Sequence, residues 1–137
     1  MVTELQPKQA WEFLRQRPDA LLLDVRSRME FDYVGHPPGA VHVPWQEYPD
    51  WRADPDFVAK VTQSLKALRP DSAPEDVPVV ALCRSGARSM AAARALAGAG
   101  YRHVYNIQEG FEGARDAQQH RGTINGWRFH GLPWEQT

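Results

Sequence analysis

Three short runs constrain this chain most: residues 21–23 (Leu-Leu-Leu), 79–83 (Val-Val-Ala-Leu-Cys) and 104–107 (Val-Tyr-Asn-Ile). Each is too brief for a helix, and none alternates cleanly between apolar and polar, as a sheet wetted on one face would require. Such strands need cover on both faces, which a parallel sheet between helices provides. Residues 2–5 and 41–43 are shorter candidates of the same kind, bringing the strands to five. Helical stretches lie between them. Pro7 suits a first helical position, with Ala10, Trp11 and Leu14 on one face. Ser27-Arg28-Met29-Glu30 matches a capping box opening a short helix through Phe31 and Val34. Asp54-Pro55 opens a longer one, striped by Phe57, Val58, Val61, Leu65 and Leu68 and ended before Pro70. Residues 88–97 are alanine-rich, with Gly98 placed to stop the helix. Strands alternating with helices predict an α/β fold with a mainly parallel, five-stranded sheet flanked by helices. With 137 residues and no visible boundary, residues 1–137 are read as one domain.

Charge and composition exclude several classes. A formal net charge of -1 lacks the basic excess of a nucleic-acid binder. No apolar run reaches membrane length, and the N-terminus does not read as a signal peptide, so a reducing cytoplasm is expected. The single cysteine rules out an internal disulfide and argues against a thiolate zinc site. His42, His103, His120 and His130 show no ligand spacing, so neither a metal nor another cofactor is expected.

That cysteine, Cys83, closes the second apolar run and is followed by Arg84-Ser85-Gly86-Ala87-Arg88-Ser89. In an open α/β sheet, ligands gather where strands end. A small-residue turn there can aim backbone N–H groups inward as an anion nest, and the next helix adds its positive end. Arg84 and Arg88 contribute permanent charges, and Gly86 suits a turn that visits positive φ. All of this favours an anionic, reactive sulfur. A lone cysteine ending an apolar strand is ordinarily an inert core residue, but such a residue has no need of guanidinium groups close after it.

The stretch Cys83-Arg84-Ser85-Gly86-Ala87-Arg88 resembles the active-site loop of the rhodanese family. Other pieces match in family order: residues 22–26 (Leu-Leu-Asp-Val-Arg), Glu30-Phe31, residues 35–40 (Gly-His-Pro-Pro-Gly-Ala) with Pro44, Gly110-Phe111, and Trp127 with Gly131-Leu132-Pro133. The resemblance spans nearly the whole chain. It implies a sulfurtransferase in which the Cys83 thiolate takes the outer sulfur of thiosulfate or of a persulfide donor. The resulting persulfide would pass that sulfur to a thiophilic acceptor such as cyanide, a thiol or a protein. The loop N–H groups from Arg84 to Arg88 would hold the terminal sulfur, and both arginines would attract the anionic donor.

Loop length separates the chemistries of this fold. Cys83 to Arg88 is Cys-x4-Arg, whereas the related phosphatases use one residue more for the larger phosphoryl group. A phosphatase or arsenate reductase is therefore disfavoured. A non-catalytic binding module is the other alternative, against which Cys83 itself argues.

The remaining candidates have plainer readings. Asp24 is expected to bond nearby backbone N–H groups, and His36 to pack. Trp45, Tyr48 and Trp51 read as core aromatics, with a place at a pocket mouth as the minority reading. As a loop charge, Arg88 is expected to matter little to stability. Residues 112–125 read as a surface insertion, with a short helix over 114–118 that could shape acceptor access.

Overall fold

A computed structural model describes residues 1–137. It has five strands, β1 (Val2–Leu5), β2 (Leu21–Asp24), β3 (Val41–His42), β4 (Val79–Leu82) and β5 (Val104–Ile107). Three α-helices accompany them: α1 (Pro7–Gln16), α2 (Phe57–Leu68) and α3 (Ala87–Gly98). The sheet order is β1-β5-β4-β2-β3 and every pairing is parallel. All five expected strands are present, and the α/β class holds.

Side-chain parity along the strands assigns the two faces. Leu21, Leu23, Val79, Ala81 and Cys83 pack with Val61 and Leu65 of α2 and with Ala92, Ala93 and Leu96 of α3. Leu22, Val80 and Leu82 point the other way, toward Ala10 of α1, Phe111 and Trp127. β4 lies in the middle of the sheet with all four residues buried, so Cys83 emerges from the best-covered strand on the α3 side. No helix is long and apolar enough to cross a membrane.

The Ser27–Glu30 capping box forms. The Ser27 hydroxyl donates to Glu30 Oε1 at 2.8 Å, and the Ser27 amide donates to the same oxygen at 3.2 Å. The helix it opens widens at once into a π-turn over Glu30–Val34. α3 is stopped one turn-residue later than expected. Gly98 is its last residue, and the left-handed position is Gly100 (φ +103°), because the chain reverses only beyond Ala99. Residues 114–118 form no helix: Asp116 Oδ1 accepts the amides of Gln118 and His120, both at 2.9 Å, a local turn that competes with helix formation.

Asp24 and Arg26 brace the fold below the site, both fully buried. Arg26 Nη2 donates to Asp24 Oδ2 at 2.7 Å and to the Gly35 carbonyl at 2.6 Å, and its Nε donates to Asp24 Oδ1 at 3.0 Å. The guanidinium lies 4.4 Å from the centre of the Phe111 ring. The Asp24 carboxylate also accepts the Arg26 amide at 3.1 Å, as expected, but the ion pair dominates its surroundings. His36 packs as expected, stacked on Phe31 with ring centres 3.8 Å apart.

Candidate active site

Cys83 is the first residue past β4, at the carboxyl edge of the sheet. It is 1% exposed, with the core behind it and a cleft of about 630 Å³ opening over the loop that follows. Gly86 takes the turn with φ +112°, as expected, and its amide donates to Cys83 Sγ at 3.1 Å. Of the loop amides it alone reaches Sγ. The second donor is the buried Ser89 hydroxyl, 3.2 Å from the sulfur.

Ser89 belongs to a buried polar chain that reading the sequence missed. Its Oγ lies 2.5 Å from Asn106 Oδ1, and Asn106 Nδ2 donates to Glu4 Oε1 at 3.1 Å and to the Gly86 carbonyl at 3.2 Å. Those two partners only accept, which fixes the orientation of the Asn106 amide. The single Ser89 proton can therefore serve Asn106, the sulfur or the Gly86 carbonyl, 3.3 Å away. A thiolate would draw it toward sulfur, a charge-assisted bond in a buried site.

The loop is held from below by the turn after β5. The Phe111 amide donates to the Cys83 carbonyl at 2.8 Å, and the Glu112 amide to the Arg84 carbonyl at 3.0 Å. At Gly110 (φ +68°) a Cβ would sit 2.5 Å from the Arg84 carbonyl and the Ser85 nitrogen. Only glycine permits this approach.

Arg84, Ser85, Ala87 and Arg88 line the cleft with Cys83. Arg88 is not the free loop charge that its position suggested. Its Nη1 and Nη2 donate to the two oxygens of Glu30, each at 2.8 Å, with both side chains less than one-fifth exposed. Burial alone would raise the Glu30 carboxyl. The Arg88 hydrogen bonds and charge, with the Ser27 hydroxyl and amide, outweigh it and hold Glu30 at about 2. A carboxyl lowered on folding stabilises the protein fully above its unfolded value and loses that contribution as pH falls toward the folded one. Acid titration is therefore expected to remove roughly 2–3 kcal/mol between about pH 5 and pH 2. Denaturant unfolding across that range should show Glu30→Gln flatter than the parent; equal slopes would contradict the pairing.

Trp51 corrects the core reading of the aromatics. Trp45 packs edge-on to Phe57, but Trp51 is 41% exposed and lines the cleft, while Tyr48 faces solvent. Arg121 brings the 112–125 segment to the same cleft. Glu30 was hidden by its capping role and Asn106 by its place in an apolar strand; Trp51 and the 112–125 segment had a cleft-side place only as minority readings, because long-range packing decides it.

The family model of the rhodanese-like domain matches residues 6–117. The chain is 32% identical over 110 residues to the thiosulfate sulfurtransferase GlpE of Haemophilus influenzae, covering 80% of this chain and 85% of GlpE. It is 31% identical over 131 residues to an uncharacterised protein of Rickettsia conorii, covering 92% and 91% of the two chains. Among solved structures, Rv0390 from M. tuberculosis superposes with a TM-score of 0.82 at 39% identity over 99% of this chain and 98% of that one. The ordered motifs, the all-parallel sheet and these similarities agree, and the chain belongs to the rhodanese-like domain family.

Proposed function

We propose that this chain is a sulfurtransferase carrying sulfane sulfur as a persulfide on Cys83, with residues 1–137 acting as one domain. The observation that carries the reading is the environment of the sulfur: Sγ sits beneath an open cleft and is met by two donors, the Gly86 amide and the Ser89 hydroxyl. Both are placed to donate to an anionic sulfur.

The first half-reaction follows from that arrangement. Cys83 Sγ⁻ attacks the outer sulfur of thiosulfate; the new S–S bond forms as the old one breaks, and sulfite leaves with the bonding pair. The charges balance, and no oxidant or reductant is needed. A persulfide donor would react in the same way. The loop from Arg84 to Arg88 surrounds the place of the outer sulfur, and Arg84, which makes no ion pair, offers the free positive charge that an anionic donor needs. Ser85 and Ala87 are small enough to leave room for it. Arg88, paired with Glu30, positions the loop.

In the second half-reaction a thiophilic acceptor, cyanide or a thiol on a small molecule or a protein, removes the outer sulfur and restores the thiolate. The similarity to a thiosulfate sulfurtransferase supports thiosulfate as a donor, and the short Cys-x4-Arg loop supports sulfur over phosphoryl transfer. A free thiol of this kind suits a reducing cytoplasm. Incubation with thiosulfate followed by intact-mass measurement tests the reading. A gain of one sulfur, about 32 mass units, is expected; no gain, with hydrolysis of a phosphate ester instead, would overturn it.

A further inference from the structure

Residues 112–125 close on themselves and carry a cation to the cleft. Asp116 gathers the amides of Gln118 and His120, and the Thr123 hydroxyl donates to its Oδ2 at 2.6 Å. At the base, Asn125 Oδ1 accepts the Ala114 amide at 2.7 Å, and a Cβ on Gly113 would collide with the Asn125 carbonyl, so the two ends of the segment touch. Arg121 Nη1 donates to the Gly113 carbonyl at 2.6 Å, and the Gly113 amide donates to the Arg84 carbonyl at 3.2 Å. The guanidinium is thus fixed beside the cysteine loop, not loose in solvent.

The charges here are not balanced. Neither Arg84 nor Arg121 is in an ion pair, and the Arg88 charge is covered by Glu30. The carboxylate nearest them, Glu112, leans toward Arg128 at 3.9 Å. Burial, and then the nearby Arg84 charge, lower the Arg121 pKa, and the Glu112 charge only partly opposes them. Met29 and Trp51, both more than two-fifths exposed, line the same cleft. A volume of about 630 Å³ falls in the range of sites for organic ligands, far beyond what one sulfur atom or a small inorganic anion requires.

We propose that Arg121, brought to the cleft by the 112–125 segment, selects among thiol acceptors in favour of those bearing a carboxylate, with their apolar part against Met29 and Trp51. The proposal rests on the sulfurtransferase reading and names the residue that discriminates between its acceptors. A guanidinium fork suits a planar carboxylate, and the aromatic and thioether wall suits carbon. In the step itself the acceptor thiolate attacks the outer sulfur of the Cys83 persulfide. The acceptor–sulfur bond forms, the Sγ–S bond breaks, its pair stays on Cys83, and the acceptor leaves as a persulfide with no net oxidation.

The test uses protein first loaded with thiosulfate and desalted, the added sulfur being checked by intact mass. Discharge is then timed with 3-mercaptopropionate, glutathione and the uncharged 2-mercaptoethanol, each rate normalised to the thiolate present. The two carboxylate thiols are expected to discharge the protein about tenfold faster at low salt, with the advantage shrinking as salt rises. Arg121→Gln should cut the ratio of 3-mercaptopropionate to 2-mercaptoethanol about fivefold, and Arg121→Lys, which keeps the charge without the fork, should fall between the parent and Arg121→Gln. Because the ratio is taken within one protein, a general loss of activity or folding cancels. Equal normalised rates in the parent, or a ratio unmoved by Arg121→Gln, would overturn the acceptor assignment. Failure of the parent to gain sulfur at all would instead overturn the sulfurtransferase reading beneath it.

Discussion

Cys83→Ser is expected to give a protein that unfolds at nearly the parent's midpoint and takes up no sulfur from thiosulfate. Serine is close in size to cysteine, and the Gly86 amide and Ser89 hydroxyl that meet Sγ can still donate to a hydroxyl oxygen. The fold therefore loses little. The chemistry loses its nucleophile, and removal of a nucleophile costs at least about 10⁴-fold in rate. Ser89→Ala provides the contrast. It removes one donor to a charged sulfur, so the persulfide should still form, about tenfold or more slowly. Intact mass over time, with turnover measured on the same samples, reads both. Sulfur gain by the Cys83→Ser protein would place the acceptor atom elsewhere and end the mechanism.

The second large effect is on stability. Arg26→Ala is expected to destabilise the chain by about 3–5 kcal/mol, because it strands the fully buried Asp24 carboxylate without a counter-charge. It also removes the bond to the Gly35 carbonyl and the guanidinium against Phe111. An unfolding midpoint lower by about 10 °C or more is the thermal equivalent. The paired replacement Asp24→Leu with Arg26→Met should recover most of the loss, since it removes both desolvated charges at once. Denaturant titration of the parent and the two variants decides. A loss below about 1 kcal/mol for Arg26→Ala would mean that water reaches the pair.

The sheet was legible because its strands are buried on both faces: leucine and valine runs at residues 21–23 and 79–83 leave few alternatives. The cysteine loop was legible because its chemistry is local, with strand, sulfur, glycine turn and helix in eight consecutive residues. What surrounds that loop was not. Glu30 and Arg88 lie 58 residues apart and meet only because β2 and β4 are neighbours. Asn106 reaches Ser89 from β5, where an amide in an apolar strand reads merely as an interruption. Residues 114–118 suggested a helix by composition, yet one carboxylate, Asp116, offered the backbone a local alternative. Trp51 has the composition of a core residue and lies at a cleft, since an aromatic pattern records apolarity and not which side of a wall it faces.

The contact beneath the loop bears on how such a scaffold can be retooled. Lengthening the segment between Cys83 and Arg88 by one residue would suit a larger tetrahedral group, but the floor is already occupied. The Gly110 backbone stands where even a methyl group would be 2.5 Å from Arg84 and Ser85. An inserted residue must therefore swell outward into the cleft, or the β5 turn must be rebuilt along with it. A single insertion is thus steered toward the cleft side, and the shape of the loop is guarded by a turn that never touches the reacting atoms.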